Sequence, residues 1–177
     1  MRKLRRLFWF VTKRMIGLTM AVGLLILTLY MAMNTSAITI LLKDGMALRA
    51  QVIMMNEEPS SLNKYFKDEF VELDSALTVG QSDISPYANY NITGIDHRVD
   101  MEWMWCWPWD RVARADFVES VPKIDGKIKS SMREAAEQNN PDSVYPPAWR
   151  SARYRATLEK IGGQWKIASI SLLEYTD

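Results

Sequence analysis

The sequence predicts an α+β protein: an N-terminal transmembrane helix, then a domain of helices packed on a curved antiparallel sheet. Three observations predict it. Met15–Met33 holds nineteen residues without a charge. Residues 62–77 place apolar side chains at helical spacing. From His97 the period falls to two, and strand-like segments then run to the end. Helices that precede a run of strands favour helices on one face of an antiparallel sheet.

The apolar stretch comes first. Nineteen helical residues span roughly 28 Å, close to the hydrocarbon thickness of a bilayer. Before it stand Arg2, Lys3, Arg5, Arg6, Lys13 and Arg14, with no acid. Lys and Arg stay on the cytoplasmic side, so the expected topology is a cytoplasmic N-terminus, one membrane pass and an extracytoplasmic C-terminal domain. Trp9 sits between the two basic clusters, as in a segment at the headgroups. A cleaved signal peptide is the alternative, but its apolar region is normally shorter. The expected division is a basic tail 1–14, an anchor 15–42 and a domain 43–177. The lipid bilayer is a partner through Met15–Met33.

The charge is split. All 21 acids lie beyond Leu42 with sixteen of the 22 Lys and Arg, so that part carries −5. A net-negative domain has no electrostatic footprint for nucleic acid. The single cysteine, Cys106, excludes an intrachain disulfide and a Cys-rich zinc site. An exported domain without disulfides fits a bacterial envelope.

Residues 43–55 have Met46, Ala50 and Ile53 at helical spacing and either continue the anchor helix or begin anew at Asp44. Ser60 or Ser61 can cap a helix over Leu62–Leu77, with Leu62, Tyr65, Phe66, Phe70, Leu73 and Leu77 on its core face. Residues 78–88 read as a loop. In the long strand that follows, His97, Val99, Met101, Trp103, Trp105, Trp107 and Trp109 share one face by parity. A turn at Pro108-Trp109-Asp110 leads to a strand over about Arg111–Val121, and Ile124-Asp125-Gly126 signals another turn. A short helix is expected around Ser131–Gln138. Two strands close the chain across the hairpin Ile161-Gly162-Gly163-Gln164. The last one shifts from Trp165 and Ile167 to Ile170 and Leu172, which places a β-bulge near Ala168-Ser169.

The helix with Tyr65, Phe66, Phe70 and Leu73, the long paired strands, and the closing hairpin from Arg153 to Gly162-Gly163-Gln164-Trp165-Lys166-Ile167 resemble the nuclear transport factor 2-like superfamily. The resemblance covers about residues 43–175 and implies a cone-shaped α+β fold. The superfamily hosts isomerases, dehydratases and non-catalytic assembly modules, so it implies no single activity. A short cytoplasmic tail, one span and one exported cone domain looks like the bitopic inner-membrane subunit of type IV secretion and conjugation systems. Similar anchored domains occur in sporulation-associated envelope proteins.

Two features could carry function. Met101, Trp103, Trp105, Trp107 and Trp109 read first as core filling; a partner surface and an apolar ligand pocket are the other readings. His97, the only histidine, could serve as an acid–base group in a Trp-lined pocket. The plainer reading is a dispensable strand-end histidine, replaceable by a polar isostere. Cys106 reads as a small residue on the opposite face. No phosphate loop, nucleophile elbow or metal-ligand pair occurs, so no catalytic residue, cofactor or metal is assigned. The leading expectation is a non-enzymatic, membrane-anchored extracytoplasmic module. It would assemble with other envelope proteins, or with itself, in a secretion, conjugation or sporulation-type complex. The alternative is a small-molecule-binding or isomerase-like cone domain.

Overall fold

The computed structural model describes residues 2–134 and 141–176. The protein is α+β. One long helix, α1 (Arg2–Met55), is followed by a 3-10 turn (Pro59–Lys64) and two short helices, α2 (Asp68–Leu73) and α3 (Ser75–Gly80). Four strands follow: β1 (Tyr90–Trp105), β2 (Val112–Ile128), β3 (Ala152–Ile161) and β4 (Gln164–Tyr175). They form one antiparallel sheet in the order β1-β2-β3-β4.

The 54 residues of α1 run without a break, so residues 43–55 continue the N-terminal apolar helix instead of beginning anew at Asp44. At about 1.5 Å per residue the helix is roughly 80 Å long. Its two halves differ. Large apolar side chains from Phe8 to Met33 are exposed. From Ile38 a buried stripe begins with Leu42, Met46, Ala50 and Ile53, spaced three and four apart. Among the described residues one helix, α1, is long and apolar enough to cross a membrane.

The buried stripe lies on the inner face of the sheet. Phe66, Phe117, Leu158, Ile167, Ala115 and Ala156 join it in one core cluster. A smaller cluster of Met54, Tyr87, Ile92 and Val121 closes the far end. Gly80 is held against the backbone of Ile53, where an added Cβ would meet Ile53 Cα at 2.9 Å.

The helix expected over Leu62–Leu77 is corrected to three short pieces. Lys67 and Asp74 both adopt extended backbone and cap the next piece. Phe66 forms a parallel bridge to Ile167 instead of a helical turn. Leu62, Phe66 and Leu77 are buried as expected, but Leu73 points to solvent. Glu58, with Pro59 behind it, caps the first piece in place of Ser60 or Ser61; Ser61 Oγ donates to the Glu58 carbonyl at 2.8 Å. The expected helix at Ser131–Gln138 falls partly outside the described residues; a 3-10 turn (Ser130–Met132) stands at its start.

The hairpin at Gly162-Gly163 is present, both glycines at positive φ, as a tight two-residue turn requires. The bulge in β4 is present too: Thr157 pairs with Ser169 and Leu158 with Ile167, which leaves Ala168 over. The turn expected at Ile124-Asp125-Gly126 is corrected. These residues continue β2, with Gly126 opposite Ile92 and Asp125 opposite Gly94. An added Cβ at Gly126 would meet Asn91 O at 2.8 Å, so glycine lets the strands approach.

β1 carries the largest correction. Met101 pairs with Phe117, but Trp103 pairs with Asp116, leaving Glu102 as an extra residue. The bulge moves the alternation by one, so each later side chain changes face. Val99 and Met101 point to the core with His97; Met104 and Cys106 take over that role beyond the bulge. Trp103 and Trp105 lie on the opposite face.

Candidate functional site

Two sites follow from this register. The first is a polar cluster buried between α1 and the sheet. On β2, Ala113, Ala115, Phe117, Glu119 and Val121 alternate onto the inner face, and all are buried. Glu119 is therefore a carboxylate at a core position, with no exposed surface. His97 faces it from β1, with Nε2 2.9 Å from Glu119 Oε1. Asp96 and Asp100 do not pair with His97; Asp96 instead accepts from Arg98.

α1 and α3 supply a second pair. Arg49 lies on the buried stripe between Met46 and Ile53. Its Nε donates to Asp74 Oδ2 at 2.7 Å and its Nη2 to Oδ1 at 3.2 Å. Asp74 Oδ1 also accepts from the Ala76 amide at 3.0 Å, capping α3. Tyr154 of β3 stands near both pairs, its ring tilted against Phe117 with centroids 5.9 Å apart. Burial pushes its hydroxyl up to about 12, and Glu119 adds to the shift. Among the described residues Glu119 Oε2 has no hydrogen-bond partner.

Arg49 is matched by Asp74, and Glu119 Oε1 is met by the His97 ring, each pair joining different elements, which is how buried polar groups are tolerated. Beside this cluster opens a cleft of about 320 Å3 lined by Arg49, Tyr87, Trp149 and Tyr154, among others. Tyr87 and Trp149 stack at 6.4 Å on its wall.

The second site is the turn between β1 and β2. Trp103, Trp105, Trp107 and Trp109 are 56%, 49%, 37% and 68% exposed, which overturns the reading of the tryptophan row as core filling. The rings of Trp105 and Trp107 meet edge to face at 5.3 Å, and those of Trp107 and Trp109 stack at 5.2 Å. Asp110 Oδ2 accepts from the Trp107 amide at 2.8 Å and fixes the turn. Beneath the tryptophans, Cys106 is buried in the core and its Sγ donates to the Trp107 carbonyl at 3.4 Å. Burial pushes its thiol up, away from the reactive thiolate.

The structure therefore separates the residues grouped by parity. His97 and Met101 face the core; the four tryptophans form an outer patch on the other side of the sheet. The sequence reading missed Arg49, Asp74, Glu119 and Tyr154. A signal exists for two of them: Arg49 interrupts the apolar stripe of a helix, and Glu119 interrupts the apolar phase of a strand. Among the described residues no group of three His, Cys, Asp or Glu is placed to hold a metal. No family model matches the chain, and no curated protein matches it.

Proposed function

We propose that this protein is a membrane-anchored, non-enzymatic interaction module whose domain faces the extracytoplasmic space and assembles with other envelope proteins. The observation that carries the reading is the division of α1. One unbroken helix exposes its apolar first half and builds the domain core with its second. A soluble protein would leave some 30 residues of apolar helix in water; a bilayer accepts them.

The interior supports a binding role over chemistry. Phe66, Phe117, Leu158 and Ile167 fill it, Arg49 is held by Asp74, and the His97 ring meets Glu119. The outer surfaces are better suited to contacts. β4 is an edge strand, and its exposed Leu172, Leu173 and Tyr175 offer apolar side chains next to an open backbone edge. Helices on one face of an antiparallel sheet, with a closing Gly-Gly hairpin, are in keeping with a nuclear transport factor 2-like module on a bitopic anchor.

The test is topological. In a Cys106→Ala background, Asp83→Cys should react with an impermeant maleimide in intact cells, and Lys13→Cys only after permeabilisation. The reverse pattern, or a mature chain beginning near Ile38, would remove the proposal. Photo-crosslinkers at Leu173 should then trap envelope proteins or a second copy.

A second reading has one observation in its favour. The cleft beside Arg49 and Tyr154 has aromatic walls of Tyr87, Trp149 and Tyr154, as a small-molecule site would. Tyr154→Phe would then abolish binding of an apolar probe dye while leaving the anchor and assembly unchanged.

A further inference from the structure

We infer that the tryptophan turn is a second membrane contact: Trp103, Trp105, Trp107 and Trp109 lie in the headgroup region of the same bilayer that α1 crosses. The inference rests on the anchor reading given above. It adds that the domain lies against the lipid surface through a surface of its own.

The argument begins with direction. Ile53, Met54 and Met55 at the end of α1 share a cleft with Tyr90, Asn91 and Ile92 at the start of β1. Lys43, Asp44 and Ala47, earlier in α1, share another with residues 97–100. As α1 runs toward its C-terminus, β1 therefore runs back toward the membrane. The six steps from Val99 to Trp105 cover about 20 Å. That equals about 13 helical residues, which carries the level from Lys43 and Ala47 back to residues 30–34. This is where the nineteen-residue apolar span ends. Ile38 and Leu42 belong to the same core cluster as Cys106 and Ala113, the residues that flank the turn.

Burial along α1 gives a separate sign of the same placement. Leu27, Met31 and Asn34 are only partly exposed, whereas Leu25, Leu29 and Met33 beside them are well exposed. Their spacing extends the stripe of Ile38, Leu42 and Met46. The domain-facing side of the helix thus continues into the span itself.

The chemistry fits a lipid interface. Trp is enriched at headgroup level because its ring is apolar and its N–H is polar. At the other end of the span, Trp9 is exposed beneath the ammonium of Lys13, so aromatic residues mark both boundaries. Exposed Val112 and Ile161 extend the patch along the same end of the sheet, since the Lys160 amide donates to the Arg111 carbonyl at 2.8 Å. Exposed Arg111 and Arg114 border it and can meet lipid phosphates.

The test uses the full chain in vesicles of phosphatidylcholine with phosphatidylglycerol. Nitroxide labels are placed singly at Leu24→Cys, Asp83→Cys, Trp107→Cys and Trp109→Cys in a Cys106→Ala background. Collisions with oxygen and with a water-soluble nickel complex report depth. The expected result is that labels at 107 and 109 resemble Leu24 in favouring oxygen, at a shallower depth, while Asp83 favours nickel. Labels at 107 and 109 that behave like Asp83, with Leu24 in lipid, would overturn the inference and leave the anchor intact. A water-exposed Leu24 would overturn the anchor first. Labels at 107 and 109 shielded from both reagents, and only at high protein density, would place a second copy on the turn and also overturn it. Unlabelled wild-type protein gives an independent reading: acyl-brominated lipid should quench its tryptophan emission more than that of a Trp107→Phe, Trp109→Phe variant.

Discussion

His97 Nε2 lies 2.9 Å from Oε1 of Glu119, a carboxylate with no exposed surface. The contact joins β1 to β2 inside the core, 22 residues apart in the chain. It makes His97 dispensable only to a replacement that keeps a hydrogen-bonding group in place. His97→Gln should stay close to wild type in thermal unfolding. His97→Ala strands Glu119 and should cost about 2–4 kcal/mol. Adding Glu119→Gln to His97→Ala should recover much of that loss. Equal stabilities for the alanine and glutamine variants would show that the pairing contributes nothing.

The tryptophan patch and the core should respond oppositely to truncation. Trp105→Ala removes an exposed ring and should change unfolding of the reconstituted chain by less than about 1 kcal/mol. Phe117→Ala empties a fully buried site and should cost about 3–5 kcal/mol. Denaturant titration of the two variants side by side checks both values.

Alkaline pH should destabilise the packing of α1 on the sheet. Burial pushes Tyr87 and Tyr154 up to about 12, whereas an unfolded tyrosine ionises near 10. The native state therefore keeps protons that the unfolded state has lost. Stability is fully present below about pH 10 and falls as pH rises toward 12. Tyr154→Phe should make the melting temperature less steep over that window. A tyrosinate absorbance signal from all seven tyrosines near pH 10, with the fold intact, would contradict it.

Gly80 ends α3 against the backbone of Ile53. Gly80→Ala puts a Cβ 2.9 Å from Ile53 Cα, and backbone cannot step aside cheaply. The variant should lose about 1–3 kcal/mol. Gly23→Ala, with open space around it, should change little, and circular-dichroism melts separate the two.

The legible parts of this fold were those in which one period persists. The apolar span, the final hairpin and its Gly-Gly turn follow from local pattern. So does the bulge at Ala168, because Ile170 and Leu172 leave the phase of Trp165 and Ile167. The bulge at Glu102 is the same event with its signal covered over. Tryptophan counts as apolar on either face, so the run from Trp103 to Trp109 concealed the transfer of the core phase to Met104 and Cys106. The short helices were obscured for another reason: Asp74 breaks the helix because Arg49, 25 residues away, holds its carboxylate. No local period reports such a contact. The buried cluster was similarly assembled from single charges, each of which reads as surface until its partner is placed.

The unbroken course of α1 also has a mechanical meaning. With no loop between its exposed apolar half and its buried half, the helix acts as a shaft, and rotation at one end is rotation at the other. One extra residue at positions 34–37 would turn the domain by about 100° and raise it by about 1.5 Å. Every contact within the domain would survive, yet the tryptophan turn would be aimed elsewhere. Seven extra residues would nearly restore the heading but lift the turn about 10 Å clear of its original height. The number of residues in the shaft therefore sets both azimuth and altitude, so a length change there alters the protein's aim without altering its fold.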